Sequence, residues 1–219
     1  MLRECNLEEM TDGKRYGLSD MVKADCNDCR GCSDCCRGMG NSICLDPLDC
    51  FRLSKHLQKS FGELLAECLE LNVVDGVILP NLKMAGESEA CVFLNEAGRC
   101  SIHAARPGIC RIFPLGRIYE NRDFEYILQI HECPMPNKTK VKVSKWIDTP
   151  ELKKNQQFIK DWHYFLKDIH EMLRNAADET LIKDTSMRIL NTFFVTPYDL
   201  DGDFYQQFYA RLENEICHP

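Results

Sequence analysis

The sequence predicts an α+β fold that is mainly α-helical, in which a cysteine-rich core with short β-hairpins packs against a C-terminal helical tail. Two observations support this prediction. Thirteen of the 14 cysteines precede residue 134, and the residues after about 148 show the three- and four-residue apolar spacing of amphipathic helices. We therefore predict two domains, a cysteine-cluster domain at residues 1–145 and a helical extension at residues 146–219.

The first part of the chain mixes short helices and strands. Residues 48–57 and 61–71 have the apolar spacing of two helices, and residues 73–79 resemble a strand interrupted by a glycine. Two hairpins are predicted, one at residues 91–103 and one at residues 118–128, each around a polar turn. The lysine-rich stretch 134–145 is predicted to be a solvated linker.

The tail has the pattern of three helices. The first follows the capping-box spacing of Asp148 and Glu151 and carries an apolar stripe through residues 158–173. The second is predicted at about residues 178–194, before Pro197, and the third follows a second capping box at Asp203 and Gln206. The aromatic residues of these stripes are predicted to be core residues.

Composition excludes several classes of function. With 27 basic and 34 acidic residues, the chain has a formal charge of −7, which argues against a nucleic-acid partner or an anionic membrane surface. No window is apolar enough to span a membrane, and the N-terminal residues lack the apolar run of a signal peptide. We therefore expect a cytoplasmic protein, in which clustered cysteines are metal ligands or catalytic thiols rather than disulfides.

The strongest motif is a run of cysteines at every third position, at Cys29, Cys32 and Cys35, followed directly by Cys36. Such spacing brings several sulfur atoms to one point, as in zinc sites and ferredoxin-type clusters. Neighbouring side chains diverge, so Cys35 and Cys36 fit two irons of one cluster or two metals, unless one of them is a small buried apolar residue. Cys26 extends the same spacing and is an alternative ligand.

A second, dispersed set contains Cys91, Cys100, Cys110 and Cys133. The predicted hairpin would bring the first two together, and the turn after Arg106 would direct Cys110 toward them. Cys133 precedes Pro134, a dipeptide found in iron–sulfur ligand runs.

Together these residues resemble the CxxCxxCC cysteine-cluster family, the YkgJ-type family of proposed zinc- or iron-chelating proteins, over about residues 26–136. The resemblance rests on Cys29–Cys36, Cys91–Leu94, Cys100–His103, Arg106–Pro114 and Cys133–Pro134. It implies that the core is a metal-binding domain, and that Arg106, Pro107, Arg111 and Pro114 belong to the frame of its site. The metal ligands that it implies are Cys29, Cys32, Cys35, Cys36, Cys91, Cys100, Cys110 and Cys133.

The metal and its use stay open at this point. Thiolate ligands suit both zinc and iron–sulfur clusters; the spacing, the adjacent cysteine pair and Cys133–Pro134 favour a cluster, with a four-iron (4Fe–4S) cluster as the expected cofactor and zinc as the alternative. Such sites are negatively charged, so Arg106 and Arg111 are predicted to offset the charge around the ligands, unless each pairs with an ordinary carboxylate.

Three functions fit these residues. The first is a metal-binding protein with a redox or substrate-activating role. The second is an enzyme that modifies a protein or peptide, by analogy with the cysteine-cluster region of flagellin lysine N-methylases. The third is an interaction module stapled by structural zinc.

Overall fold

The computed structural model describes residues 6–26, 32–174 and 179–217. The predicted α+β class is confirmed, since helices make up 45% of the structure, against 22% for short antiparallel strands. The helices are α1 (Leu7–Met10), α2 (Pro47–Leu57), α3 (Phe61–Glu67), α4 (Gly108–Ile112), α5 (Val143–Ile147), α6 (Leu152–Arg174), α7 (Glu179–Leu190) and α8 (Phe204–Cys217). The strands are β1 (Met21–Asp25), β2 (Leu69–Val74), β3 (Val77–Leu82), β4 (Met84–Ala85), β5 (Ala90–Cys91), β6 (Leu115–Glu120), β7 (Asp123–Leu128) and β8 (Thr139–Lys142).

The described residues form two compact units. One, called here the helical unit, contains the described residues of 41–83 and 161–219. The other, called the cysteine unit, contains those of 2–40 and 84–160. The boundary near residue 145 that composition suggests stays a prediction.

The helical unit begins with two capped helices and a hairpin. In α2 the Asp49 amide donates to the Asp46 side chain at 2.8 Å, and a capping box of the same kind starts α3. The sequence-based helix at 61–71 is too long, because the chain enters β2 at Leu69 and returns in β3. Asp75 and Gly76 form the turn with positive φ of 49° and 85°, the backbone that Asp-Gly favours in a two-residue hairpin.

Aromatic side chains form the core of the helical unit, as the stripes predict. Phe193 and Phe208 are fully buried, and the Trp162 ring lies 5.0 Å from Phe193 and 6.1 Å from Phe208 between ring centroids. Asp203 caps α8 as predicted, accepting from the Gln206 amide at 3.2 Å.

The predicted cap of α6 is wrong. Asp148 ends α5 in the left-handed conformation at φ 44°, and α6 begins at Leu152. The Glu151 carbonyl accepts the hydrogen bond of the Asn155 amide at 3.0 Å. Spacing alone suggested an N-cap at Asp148, but the short helix α5 already uses that residue as its end.

The cysteine unit is built on two antiparallel strand pairs. In the predicted hairpin β6–β7 the turn residues Asn121 and Arg122 have positive φ. Strand β8 pairs with β1, far away in sequence, so the predicted linker 134–145 contains a strand and the start of α5. An apolar cluster lies under these strands; its buried members are Tyr16, Val22, Ala24, Ile112, Leu115, Tyr126, Leu128, Val143 and Ile147.

The predicted hairpin at 91–103 is present in reduced form, as one antiparallel bridge with flanking hydrogen bonds. Strand β5 pairs instead with β4, and one isolated bridge joins Leu94 to Cys100.

Among the described residues, no helix combines the length and the apolar character needed to cross a membrane.

Candidate metal centre

The predicted ligand cysteines share one unit. Seven of the eight lie in the described part of the cysteine unit, and Cys29 lies outside the described residues. Five cysteines belong to no motif. Cys44, Cys50, Cys68 and Cys217 belong to the helical unit, and Cys5 lies outside the described residues. Among the described cysteines, the two units therefore separate the predicted ligands from the cysteines outside the motifs.

Cys35 and Cys36 lie in a short 3-10 turn, Asp34–Cys36, that is fixed to β5. The Gly38 amide donates to the Glu89 carbonyl at 3.0 Å, and Arg37 forms an isolated bridge with Ala90. The Arg37 side chain also donates to the Ser88 hydroxyl at 3.1 Å. These contacts hold the cysteine pair beside the strand that carries Cys91.

A tight loop brings Cys100 back toward Cys91. The Leu94 amide donates to the Cys91 carbonyl at 2.8 Å, and the Asn95 amide donates to the Arg99 carbonyl at 2.9 Å. The Leu94–Cys100 bridge closes the loop. The prediction that these residues fold back on each other is therefore correct, although turns and a single bridge reverse the chain rather than two extended strands.

Nearby charges act in opposite directions on the pKa values of Cys36 and Cys100. A hydrogen bond from Cys35 lowers the pKa of Cys36 from 9.0 to about 7, against the effect of burial and with help from Arg37. Burial raises the pKa of Cys100, and the negative charge of Cys36 raises it further, while Arg106 and Arg99 lower it. Residues from both cysteine sets thus interact.

Cys110 is carried by the short helix α4. Pro107 precedes this helix and its carbonyl accepts the hydrogen bond of the Arg111 amide at 2.9 Å. The Cys110 side chain is half-buried.

Cys133 is a buried thiol whose pKa depends on several groups of the cysteine unit. Burial raises the pKa of Cys133; the negative charges of Cys26 and Cys32 raise it further, while the Met135 backbone and Lys138 lower it. Cys26 and Cys133 are both buried. The sequence signal for Cys26 was its place in the every-third spacing.

The two arginines of the motif contact main-chain and histidine atoms. Nη1 of Arg106 lies 2.7 Å from Nε2 of His103 and donates to the His103 carbonyl at 3.1 Å. Arg111 is buried, and its guanidinium donates to the Ala104 carbonyl at 2.7 Å and the Asp148 carbonyl at 2.9 Å. These contacts fix the loop around α4, and the role of both arginines toward a metal stays a prediction.

In the helical unit, burial favours the protonated thiol at Cys44, Cys50 and Cys68, whereas Cys217 is exposed. Burial raises the pKa of Cys44 to about 12 and the pKa of Cys50 well above its ordinary range, with further contributions from Asp46 and Asp49. The Cys68 thiol donates to the Leu64 carbonyl of its own helix at 3.3 Å. A protonated thiol is a poor metal ligand.

The chemistry of the donor set in the cysteine unit fits a soft metal, because thiolates select zinc and iron–sulfur clusters over hard cations. Within residues 6–26, 32–174 and 179–217, no three Cys, His, Asp or Glu side chains are grouped closely enough to hold a metal ion.

The fold and its clustered cysteines define a cysteine-rich α+β protein. The family model CxxCxxCC, described as "Putative zinc- or iron-chelating domain", matches residues 28–145, which is more than half of the chain. The chain therefore belongs to the CxxCxxCC family, as its motifs predicted. No curated protein and no solved structure matches the chain.

Proposed function

We propose that this protein holds an iron–sulfur cluster through the cysteines of its cysteine unit and uses it in electron transfer or substrate activation. The observation that carries the proposal is that seven predicted ligands share one unit, whereas Cys44, Cys50, Cys68 and Cys217 lie in the other. The proposed ligands are Cys29, Cys32, Cys35, Cys36, Cys91, Cys100, Cys110 and Cys133.

Cations near the thiols support metal binding of this kind. The pKa of Cys36 is lowered by its hydrogen bond with Cys35 and further by Arg37. Burial raises the pKa of Cys100 and of Cys133, and Arg106 and Lys138 partly offset these rises. A cysteine must lose its proton to bind a metal, so a nearby positive charge favours the form that binds. Arg37 and Lys138 are contributors that the spacing of cysteines did not reveal.

The preference for a cluster over zinc rests on the ligand pattern. Thiols at every third residue, an adjacent pair and a Cys-Pro dipeptide are all features of iron–sulfur ligand runs.

The test is anaerobic purification, with iron, acid-labile sulfide and zinc measured per chain and a visible absorbance spectrum before and after reduction. We expect a coloured protein with iron and sulfide in equal amounts, bleached reversibly by reductant. A colourless protein with stoichiometric zinc would overturn the cluster but keep a thiolate metal centre. A protein that takes up neither metal would overturn both.

A structural zinc role is favoured by one observation. The buried apolar cluster of the cysteine unit is built from residues 16–24 and 112–147, whereas most proposed ligands lie in the segments 32–36 and 91–110, which contribute no residue to that cluster. Metal crosslinks can stabilise segments that contribute little to an apolar core. If removal of zinc by a chelator unfolds the cysteine unit, then the zinc has a structural role.

Two further proposals follow from the sequence. Reduced thiolates persist in a reducing compartment, so we propose that the protein acts in the cytoplasm. Modification of a protein or peptide substrate rests on the resemblance to the methylase region alone and stays a prediction.

A further inference from the structure

We propose that the outer edge of strand β2 binds a second copy of this chain, with the two β2 strands antiparallel and the two Leu71 residues opposite each other. Strand β2 belongs to the helical unit, whereas the described ligands of the proposed metal centre belong to the cysteine unit. The pairing would join two hairpins into one four-stranded sheet about a two-fold axis, which is a common way for a strand edge to bind a partner.

Strand β3 forms backbone hydrogen bonds on the side away from β2. The bonds join Ile78 to the Ser186 hydroxyl at 2.7 Å, the Pro80 carbonyl to the Leu45 amide at 2.8 Å and the Leu82 amide to the Ile43 carbonyl at 3.0 Å. In an antiparallel pair, a residue whose backbone groups point outward lies opposite a residue whose groups also point outward. The register partners Val73, Leu71 and Leu69 therefore direct their amides and carbonyls to the outer edge of β2.

This outer edge has no strand partner among the residues that the structure describes. Val73 is 71% exposed, more than any other large apolar side chain of the described residues, and Leu71 is 37% exposed. Native proteins usually protect an open edge with lysine, proline or a bulge. Strand β8 contains Lys140 and Lys142, whereas β2 contains neither lysine nor proline and pairs with β3 without a bulge. The edge of β2 is therefore suited to pairing with another strand.

The sequence of β2 is complementary to itself about Leu71. With the two Leu71 residues opposite each other, Leu69 of one copy lies opposite Val73 of the other, so apolar residues face apolar residues. Glu70 then lies opposite Asn72, a carboxylate opposite an amide donor, and no two carboxylates are directly opposed. Such cross-strand pairs stabilise a sheet, whereas directly opposed like charges destabilise it.

The side chains of Glu70 and Asn72 already show this complementarity within one chain. The Asn72 amide donates to the Glu70 carboxylate at 3.1 Å, so the two groups lie on the same face of β2. A register centred on Asn72 instead would set Leu69 opposite Asp75, which lies in the turn at φ 49°. The register centred on Leu71 therefore uses more of the strand.

A strand edge also accepts an extended segment of a different protein. The second copy is favoured because β2 itself supplies the complementary pattern. Residue 71 distinguishes the two occupants, since only the symmetric pairing places residue 71 opposite itself.

The experiment measures the mass of the full chain by sedimentation equilibrium over a series of concentrations. A reductant is present, so that the exposed Cys217 forms no disulfide between chains. The proteins are the wild type, Leu71→Lys, Leu71→Glu and Met187→Lys. Met187 is the matched control, because it lies in α7 of the same unit and is 39% exposed.

We expect the wild type and Met187→Lys to dimerise equally. Leu71→Lys and Leu71→Glu each place two like charges opposite each other and should raise the dimer dissociation constant at least about tenfold. An equal mixture of these two variants should dimerise again, because a lysine then faces a glutamate. Recovery in the mixture also shows that both variants are folded.

Hydrogen exchange of the wild type provides a readout that needs no variant. The amides of Leu71 and Val73 should exchange more slowly at high protein concentration than at low concentration, because pairing adds hydrogen bonds at the edge. Amides of helix α7 should exchange at the same rate at both concentrations.

Three results would refute a second copy on this edge. They are a wild type that stays monomeric throughout the series, a dimer that Leu71→Lys leaves intact, and exchange at β2 that does not depend on concentration. If an extended segment of another protein protects the β2 amides while the wild type stays monomeric, the edge binds a different partner and the proposal fails. Each result is independent of the metal content, so the proposed metal centre stands or falls separately.

Discussion

Replacing Arg111 with methionine should destabilise the cysteine unit even when no metal is bound. The guanidinium is 7% exposed and donates to the carbonyls of Ala104 and Asp148. Methionine keeps much of the length and apolar volume of the side chain but cannot donate. The substitution therefore removes two hydrogen bonds from a charged donor and leaves the two carbonyls without that donor.

The size of the effect follows from these two bonds. A hydrogen bond to a charged group contributes about 1.5–3 kcal/mol, so the loss of both should lower the free energy of unfolding by about 3–6 kcal/mol. That is a large part of the roughly 5–15 kcal/mol that holds a typical domain folded.

Urea unfolding followed by tryptophan fluorescence measures this loss. Trp146 lies in the cysteine unit and donates to the Ile112 carbonyl at 3.0 Å, so a Trp162→Phe background makes it the single reporter. The control is Arg15→Met in the same unit, because the Arg15 side chain is 42% exposed where it pairs with Glu120. Exposed ion pairs contribute about 0–1 kcal/mol.

The two interpretations of Arg111 predict opposite results. If its main work is to hold the loop around α4, the urea midpoint of metal-free Arg111→Met falls far more than that of Arg15→Met. If Arg111→Met is no less stable than the control but releases metal more readily, then the hydrogen-bond reasoning is refuted and the counter-charge role predicted from the sequence is correct.

Three other predictions test the fold and the thiols. Gly76→Ala should lower the free energy of unfolding by about 1–2 kcal/mol, because φ is +85° there and a side chain disfavours that conformation. The control, Gly62→Ala, lies in helix α3 with open space around it and should not lower the free energy of unfolding. Equal thermal melting of the two variants would contradict the turn assignment. Burial raises the pKa of Cys44 from 9.0 to about 12, so above pH 9 the unfolded chain binds fewer protons than the folded one. Stability should then fall with rising pH by at most about 1.4 kcal/mol per pH unit for this thiol, and Cys44→Ala should show a shallower fall in urea unfolding at alkaline pH. In metal-free protein, iodoacetamide at neutral pH should label Cys36, with a pKa of about 7, before buried Cys50; equal labelling rates would show that the hydrogen bond from Cys35 does not activate Cys36.

Local patterns predicted the parts of the fold that depend on local interactions. The apolar stripe of α6 and the cap of α8 at Asp203 are set by residues a few positions apart, and both are confirmed. The hairpin at Asp75–Gly76 was also encoded locally, by a dipeptide suited to positive φ. It was missed because residues 73–79 resemble one strand interrupted by a glycine, whereas Asp75 and Gly76 are the turn between β2 and β3.

Pairing between distant segments could not be predicted in this way. The residues of β8 are polar and lysine-rich, so they resemble a solvated linker, and only their pairing with β1 makes them a strand. That pairing joins residues more than 110 positions apart, as at Asp25 and Thr139.

Spacing and environment contribute different information about the thiols. Periodic spacing distinguished the predicted ligands from Cys44 and Cys50, but it could not say which thiols ionise. In the cysteine unit, burial raises the pKa of Cys133 and Lys138 partly offsets that rise. In the helical unit, burial and nearby carboxylates together raise the pKa of Cys50 well above its ordinary range. A metal competes with a proton for each sulfur, so a positive neighbour favours exchange of the proton for the metal and an apolar, acidic surrounding opposes it. A soft metal offered to the whole chain should therefore bind in the cysteine unit, even though both units contain several neighbouring thiols.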